Sequence, residues 1–320
     1  MILLTGATGF VGSGLCSRLK AEGRDIRRAV RRQSSEGDTQ AVGDIGPDTS
    51  WGKALNGIDT VIHLAARAHI MNDGASDPLR EFRRVNVDGT LNLARQAAAS
   101  GTKRFIFLST IKVNGEQTPP GLPFTENSRS APEDPYGISK HEAEQGLVEI
   151  ARETGMEIVI IRPPLVYGPG VKGNFASMMR WIAKGIPLPL GAIHNQRSLI
   201  ALDNLVDFII TCIDHPAANQ TFLVADGEDL STTDLLRRVG QAMGKPARLI
   251  PVPMGLLKAG AALLGKKAMA QRLYGNLQVD TSKAREVLGW VPPVSVDAGL
   301  KKATANSDHA EPQSRQEKKK

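Results

Sequence analysis

The chain has 320 residues, of which 41% are hydrophobic and 23% charged, and it carries a formal net charge of +7. This length suffices for one large α/β core with a smaller lobe, or for two ordinary domains. No apolar run reaches the roughly 18 residues of a transmembrane helix, and no secretory signal is recognisable, so neither a membrane protein nor an exported one is expected.

Three further features of the sequence bear on nucleic-acid binding, on the cellular compartment and on the order of the last residues. The arginine-rich stretch from 24 to 32 contains no aromatic residue, and aromatics make up only 4% of the chain, so no nucleic-acid surface is expected. Cys16 and Cys212 lie far apart in apolar segments, and they predict buried thiols in a cytoplasmic protein. The segment 303–320 lacks an apolar period, so we expect a disordered tail.

The first half of the chain alternates segments typical of strands with segments typical of helices. Apolar runs that predict buried strands occur at 2–4, 26–30, 60–65, 104–109 and 158–161. Helical stretches lie between them at 12–21, 80–99 and 136–153. Because strands that alternate with helices form parallel sheets, we predict an α/β protein with a Rossmann-like, doubly wound parallel sheet.

This regular alternation loosens after Pro163 and Pro164. Shorter strand-like segments then mix with helical ones, at 198–201, 204–213, 221–224, 232–241 and 255–264. We therefore predict a nucleotide-binding Rossmann domain over 1–165, to which some later segments return. A smaller mixed α/β substrate-binding lobe is expected over 166–302.

The first predicted strand leads directly into a glycine-rich turn. Glycine at a strand-to-helix turn lets the backbone approach a pyrophosphate, and the helix N-terminus adds N–H groups and a positive dipole. A plain tight turn is the alternative. The position favours a dinucleotide site that includes Gly6, Gly9, Phe10, Val11 and Gly12.

The second predicted strand ends at Arg31 and Arg32. A site selective for NAD usually has an acidic residue here, which binds the ribose 2′-hydroxyl. Two guanidinium groups favour a 2′-phosphate instead, and hence NADP, although a solvated basic edge explains them as well. Further on, Asp44 and Ile45 are placed to hold the adenine, or Asp44 simply caps a turn.

The fourth predicted strand continues into Leu64, Ala65 and Ala66. The short alanine side chains leave room for a dinucleotide to lie across the strand end. His63 precedes them, but a single strand histidine more often packs than reacts, so we assign it no role in proton transfer.

Tyr136 and Lys140 form the most distinctive pair in the sequence. Asp134 and Pro135 are typical of a helix start, so Tyr136 and Lys140 lie one turn apart on one helix face. A phenol with a pKa of ~10 is a poor acid–base catalyst at neutral pH. A nearby ammonium and a positive nicotinamide ring lower such a pKa, so the pair predicts acid–base chemistry beside the dinucleotide.

The hydroxyls of Ser109 and Thr110 stand at the end of the fifth predicted strand. A hydroxyl there can polarise the oxygen of a group that is being oxidised or reduced. Alternatively, these residues simply terminate the strand.

Taken together, these motifs resemble the NAD-dependent epimerase/dehydratase family of extended short-chain dehydrogenases/reductases. The resemblance covers roughly residues 1–300. The matching motifs are Gly6-x-x-Gly9-x-x-Gly12, Asn86-Val-Asp-Gly-Thr-Leu-Asn92, Ser109-Thr110, Tyr136-x-x-x-Lys140, Arg162-Pro-Pro-Leu-Val-Tyr-Gly-Pro169 and Arg197-Ser-Leu-Ile-Ala-Leu-Asp203.

The resemblance implies an enzyme that acts on a UDP-sugar with NAD or NADP, and it implies Thr110, Tyr136 and Lys140 as the catalytic set. Asn86, Ser109 and Pro163, with Tyr136 and Lys140, are implied to join the dinucleotide site. The residues implied to contact the substrate are Thr110, Lys112, Tyr136, Asn174, Arg197 and Arg272. A homodimer through the helices near 80–99 and 136–153 is implied as well, and no metal site is expected.

Departures from the family pattern narrow the reaction. Sugar-nucleotide 4,6-dehydratases carry Asp-Glu directly after the threonine, whereas Ile111 and Lys112 stand here, so dehydration lacks its acid and base. The segment 109–115 resembles a bacterial subgroup in O-antigen and polysaccharide synthesis, which implies reduction of a UDP-4-keto-6-deoxy-N-acetylhexosamine to UDP-N-acetylquinovosamine.

Two other functions compete with this reduction. A UDP-glucose or UDP-N-acetylglucosamine 4-epimerase is the main alternative, since the two reactions share their chemistry at C4. A dinucleotide-sensing protein without activity would require loss of the Tyr136–Lys140 pair, which is intact.

Overall fold

A seven-stranded parallel sheet forms the centre of the molecule. The computed structural model describes residues 1–35, 37–68, 77–263, 271 and 273–305. The strands of the sheet, in the order β3-β2-β1-β4-β5-β6-β9, are β1 (Ile2–Thr5), β2 (Ile26–Val30), β3 (Thr39–Ala41), β4 (Thr60–His63), β5 (Arg104–Leu108), β6 (Glu157–Arg162) and β9 (Thr221–Leu223). Two further strands, β7 (Leu165–Tyr167) and β8 (Leu199–Ala201), pair with each other.

Helices follow most of these strands along the chain. They are α1 (Phe10–Ala21), α2 (Gly52–Leu55), α3 (Pro78–Arg83), α4 (Gly89–Ala99), α5 (Pro135–Thr154), α6 (Gly173–Ala183), α7 (Leu202–Asp214), α8 (Thr232–Ala242), α9 (Met254–Leu263), α10 (Ser282–Leu288) and α11 (Val296–Thr304). A π-helical turn over Arg84–Asp88 joins α3 to α4, and short 3-10 turns occur at Ile111–Val113 and Pro216–Ala218.

Successive residues of a central strand enter two different apolar cores. In β1, Ile2 and Leu4 belong to the core that α1 and α7 cover, whereas Leu3 belongs to the core that α4 and α5 cover. Side chains of a strand point alternately to the two faces of its sheet, so both faces need helices. The predicted doubly wound, Rossmann-like parallel sheet is confirmed.

The structure corrects one predicted helix. The segment 80–99 has continuous helical character in the sequence, but the π-helical turn divides it. This wider turn brings Asn86 into the interior, where the residue is buried and its amide binds protein groups. An unpaired buried amide is costly, so these hydrogen bonds stabilise Asn86 in the interior.

Some segments after residue 165 join the main sheet and its cores, and others form a separate third core. Strand β9 pairs with β6 at the edge of the main sheet, and α7 packs in the same core as α1. A third core, which includes Phe175, Leu236 and Leu300, joins α6, α8 and α11. The last helix extends into the predicted tail as far as Thr304, and 306–320 lie outside the described residues.

Cys16 and Cys212 are both buried. Within the described ranges, no helix combines the length and apolar character that crossing a membrane requires.

Candidate active site

The sheet order places a crevice beside β1. The chain leaves β1 toward β2 and β3, and then crosses to the opposite side of β1 to form β4. In open α/β sheets, ligands bind at this kind of switch point, outside the carboxyl ends of the strands. The glycine turn after β1 and the segment 64–66 after β4 both lie at that edge.

The glycine turn after β1 has no room for a side chain at two of its glycines. Gly6 has a φ of 70°, and a Cβ on it would lie 2.8 Å from the Ala65 nitrogen. A Cβ on Gly12 would lie 2.0 Å from the Gly6 oxygen. Gly9 begins α1 without a side-chain cap, so the first N–H groups of α1, from Phe10 onward, have no capping side chain beside them. Backbone donors at a helix start fit the pyrophosphate of a dinucleotide.

His63 ties the two strand ends together instead of entering the crevice. Its Nδ1 lies 2.7 Å from the Thr5 hydroxyl, and its Nε2 lies 2.9 Å from the Thr90 hydroxyl. The Thr5 hydroxyl also accepts a bond from the Ala65 N–H at 3.2 Å. Burial lowers the pKa of His63 to about 3, so the ring is neutral and structural. Leu64, Ala65 and Ala66 follow as half-buried residues at the crevice.

The arginines within β2 and directly after it divide into two groups. Arg27 donates to the backbone oxygens of Ala54 and Asn56, and Arg28 forks onto Asp38, lowering the pKa of that carboxyl to about 2. These two contacts serve the fold. Arg31 and Arg32, by contrast, are exposed at the carboxyl end of β2.

Asp44 meets Arg31 at this exposed edge. The Nε of Arg31 lies 3.1 Å from Asp44, and both side chains are about four-fifths exposed, at 84% and 79%. Such an ion pair is worth only ~0–1 kcal/mol, so either partner can exchange it for a ligand. Ile45 instead packs against the core beside α4, where a Cβ on Gly89 would lie 2.7 Å from its Cγ2.

We expect the double change Arg31→Asp with Arg32→Ala to weaken NADPH binding far more than NADH binding. The change removes two candidate donors to a 2′-phosphate and adds a repulsive charge, and each such bond is worth ~1.5–3 kcal/mol. Titration of both dinucleotides by fluorescence measures the difference. Equal losses for NADPH and NADH would contradict a 2′-phosphate site at these arginines.

Tyr136 and Lys140 lie on the first turns of α5. Asp134 caps this helix by accepting the Gly137 N–H at 2.7 Å, and Pro135 follows as its first residue. The Tyr136 ring contacts the Phe82 ring edge-on, with 6.3 Å between centroids. Burial, with a smaller contribution from Asp134, raises the pKa of the Tyr136 phenol.

Lys140 is almost completely buried, with 1% of its surface exposed. Its Nζ donates to the Leu108 carbonyl at 2.8 Å and stands 4.1 Å from the centre of the Phe107 ring. Burial lowers the pKa of Lys140 to about 7, while the Glu144 carboxylate acts in the opposite direction. Lys140 thus joins α5 to the end of β5, beside the predicted hydroxyl pair.

Ser109 and Thr110 have different surroundings. The Ser109 hydroxyl donates to the buried carboxylate of Glu144, which ties Ser109 to α5. The Thr110 hydroxyl accepts the Lys112 N–H at 3.3 Å and begins the 3-10 turn. Pro163 is buried, and its carbonyl accepts the Ile111 N–H at 3.0 Å, which joins this turn to the end of β6.

Asn86, which the resemblance places in the dinucleotide site, forms its hydrogen bonds with protein groups. Its oxygen accepts the Arg67 N–H at 2.8 Å, and its nitrogen donates to the Arg67 carbonyl and the Ser139 hydroxyl, both at 3.0 Å. Asn86 therefore holds the segment after β4 against α5, next to Lys140.

Lys112, which the resemblance places at the substrate, forms ion pairs with two carboxylates of the chain. Its ammonium binds the carboxylate of Asp134 and, at 2.8 Å, that of Glu116. Asp134 caps α5 at the same time. Lys112 thus fixes the start of the helix that carries Tyr136.

The residues expected on the substrate side lie in the second half of the chain. Asn174 is exposed at the start of α6. Arg197 is half-buried, pairs through its backbone with Leu230 and Leu277, and donates from Nη1 to the Gly275 carbonyl at 3.0 Å. Arg272 lies outside the described residues.

Sequence reasoning missed the pair formed by Glu144 and Arg162. Arg162 appeared only as the first residue of a matching motif, and Glu144 had no assignment. The spacing of Lys140 and Glu144, four residues apart on one helix face, was the signal that could have found the carboxylate.

In the described part of the chain, no group of three or more His, Cys, Asp or Glu side chains is arranged to hold a metal ion.

Comparison with known proteins agrees with this geometry. The family model described as the NAD dependent epimerase/dehydratase family matches residues 2–225. A UDP-glucose 4-epimerase of Vibrio cholerae is 52% identical over 305 residues, which cover 94% of this chain and 93% of that protein. An N-acetyl-alpha-D-glucosaminyl-diphospho-ditrans,octacis-undecaprenol 4-epimerase of Escherichia coli O157:H7 is 30% identical and covers 93% of this chain and 92% of its own length.

A solved structure shows the same fold. The crystal structure of the UDP-glucose 4-epimerase of Thermotoga maritima with UDP-glucose is 24% identical to this chain and has a TM-score of 0.74. The match covers 95% of this chain and 97% of that one.

Proposed function

Since the chain belongs to the NAD-dependent epimerase/dehydratase family, we propose that it is a UDP-hexose 4-epimerase, with UDP-glucose as the first substrate to test. One observation carries the proposal: the near full-length similarity to the Vibrio cholerae UDP-glucose 4-epimerase, at 52% identity. The sequence alone favoured reduction of a 4-keto sugar, and this similarity supports the epimerase better.

In this proposal, residues of the chain carry out acid–base chemistry at the 4-hydroxyl of the sugar. A nicotinamide dinucleotide, when bound, supplies the acceptor and donor of a hydride at C4. Tyr136 removes the proton from the 4-hydroxyl and returns it to the 4-keto oxygen. Thr110 holds that oxygen by a hydrogen bond. Lys140 is the cation one turn along α5 that favours the phenolate form of Tyr136.

Burial raises the pKa of the Tyr136 phenol above its usual value and lowers that of the Lys140 ammonium to about 7. Below about pH 7 Lys140 carries its charge, and this charge is lost as the pH rises through its pKa. A positive nicotinamide ring beside Tyr136 would lower the pKa of the phenol by direct charge attraction.

Reduction of a UDP-4-keto-6-deoxy-N-acetylhexosamine is the second candidate. The segment 109–115, with Asn114 in place of the tyrosine that is common in the family, favours it. So does the pair of exposed arginines after β2, because reductases commonly spend NADPH. The two functions use identical groups at C4 and differ in the fate of the hydride: an epimerase returns it to the same sugar, and a reductase consumes one dinucleotide per product.

One experiment separates the two candidates. The protein is incubated with UDP-glucose or UDP-N-acetylglucosamine and a catalytic amount of NAD, and separately with UDP-4-keto-6-deoxy-GlcNAc and excess NADPH. An epimerase forms the C4 epimer with no net change in dinucleotide, and this is the expected result. Stoichiometric oxidation of NADPH without epimerisation would contradict the proposal and support the reductase.

Arg197→Ala is expected to raise KM for the UDP-sugar by roughly tenfold or more, with little change in dinucleotide binding. A planar guanidinium can bind two phosphate oxygens at once, and charge-assisted bonds are worth ~1.5–3 kcal/mol each. Arg197→Lys should restore the affinity only in part. Unaltered kinetics together with a lower melting temperature would assign Arg197 to the fold, through its bond to Gly275.

A further inference from the structure

A buried ion pair lies directly behind the proposed catalytic groups. The Arg162 guanidinium, at the end of β6, forks onto the Glu144 carboxylate of α5, with Nε donating to Oε1 at 3.0 Å and Nη2 donating to Oε2 at 2.5 Å. The two side chains are only 9% and 5% exposed. A buried pair is weak evidence for stability, because desolvation offsets much of the attraction. The reason for burying this ion pair must therefore be sought in the hydrogen bonds that it makes to other groups.

Both partners extend their hydrogen bonds to the turn that carries Thr110. The remaining Arg162 nitrogen, Nη1, donates to the Asn114 oxygen at 3.0 Å, just after the turn. Glu144 accepts the hydroxyl of Ser109, which directly precedes Thr110. The Glu144–Arg162 pair thus holds both ends of the turn by hydrogen bonds, at Ser109 and at Asn114.

Helix α5 holds the end of β5 at two consecutive residues. Lys140 donates to the Leu108 carbonyl at 2.8 Å, and Glu144, one helical turn later, accepts the Ser109 hydroxyl. Tyr136 lies one turn before Lys140 on the same helix. The distance between the Thr110 hydroxyl and the Tyr136 phenol therefore depends on these two side chains.

We propose that Glu144, held in place by Arg162, is a positioning residue that fixes the Ser109–Thr110 turn against the helix of Tyr136 and Lys140. This inference rests on the proposed chemistry at C4, although not on the choice between epimerase and reductase. Glu144 touches neither substrate nor dinucleotide in this assignment; it acts through the turn that carries Thr110, and its charge also raises the pKa of Lys140.

Ser109→Ala is the primary test, because it removes the bond to Glu144 and leaves the Glu144–Arg162 pair intact. A misplacement of about 1 Å can cost 10²-fold in rate, so kcat is expected to fall by roughly 10- to 100-fold. KM for the UDP-sugar and Kd for NAD should stay within about twofold. The readout is the sugar-dependent change in dinucleotide absorbance in a single turnover, which both candidate reactions share.

A double-mutant cycle with Thr110→Val distinguishes positioning from a general structural effect. If Ser109 acts through Thr110, then Ser109→Ala in the Thr110→Val background should lower the residual rate by less than about twofold. An equal fall in both backgrounds would overturn the proposal, and so would a fall of less than twofold in the wild-type background. An inactive wild-type protein would contradict the proposed function instead.

Glu144→Gln supplies an independent variant, with Glu142→Gln as its matched control. Both changes remove a carboxylate from α5, but Glu142 pairs with Arg83 at the surface. Glu144→Gln should lower kcat by at least tenfold without raising KM, whereas Glu142→Gln should stay within twofold. If Glu144→Gln does not fold, because Arg162 is left unpaired, Ser109→Ala and its cycle decide the question.

Discussion

Tyr136→Phe is expected to lower kcat by roughly 10²–10⁴-fold, the range that a general acid–base group contributes. The substitution removes one hydroxyl and keeps the ring that packs against Phe82, so folding and dinucleotide affinity should hardly change. Steady-state kinetics and dinucleotide titration on the same preparation measure both quantities.

Tyr167→Phe is the matched control for this prediction. Tyr167 is fully buried, and its hydroxyl donates to Asp226 at 2.7 Å within the core that joins β7 to α11. Loss of this bond should lower the free energy of unfolding by about 1–3 kcal/mol without a comparable fall in kcat. If Tyr136→Phe kept more than about a tenth of wild-type kcat, outside the usual range for acid–base groups, Tyr136 would have no place in the mechanism.

Gly12→Ala is expected to abolish most dinucleotide binding, weakening Kd by about one to two orders of magnitude or roughly 1.4–2.8 kcal/mol. The new Cβ would stand 2.0 Å from the Gly6 oxygen and 2.9 Å from the Ala7 Cα. These are backbone atoms of the glycine turn, so relief requires the turn itself to open. Isothermal titration with NAD, together with thermal melting, separates lost binding from lost folding.

Gly52→Ala is the control for this second prediction. Gly52 begins α2, and a Cβ on it would meet nothing within 4 Å. This variant should bind NAD like the wild type. An affinity of Gly12→Ala close to that of Gly52→Ala would mean that the turn between β1 and α1 does not hold the pyrophosphate.

Much of the fold could be predicted because its signals are local. Leu3, Val61 and Phe105 lie in short apolar runs that only a sheet covered on both faces can bury. The division of the segment 80–99 could not be predicted, since it depends on where Arg67 and Ser139 place partners for Asn86. Those partners come from other segments of the chain, so the helical periodicity of 80–99 cannot predict them.

The candidate site was predictable to a similar degree. Tyr136 and Lys140 are neighbours on one helix, so their spacing alone brings them together. The surroundings of Lys112 and Ser109 depend on contacts between different helices, strands and turns. Lys112 pairs with Asp134 and Glu116, and Ser109 donates to Glu144, because buried or half-buried charges need complementary groups nearby. The choice between epimerase and reductase lies in product and dinucleotide exchange, which no spacing of residues reveals.

The place of β9 has a consequence for how the chain matures on the ribosome. When β6 has been synthesised, the edge that will receive β9 is unpaired until residues 221–223 emerge. At about 5–20 residues per second, that interval lasts on the order of 3–12 s. During it, the apolar edge of β6 is a template for wrong pairing between nascent chains. A fragment that stops near residue 165 would keep this edge permanently, so it should aggregate, even though it contains the whole glycine turn and the Tyr136–Lys140 pair.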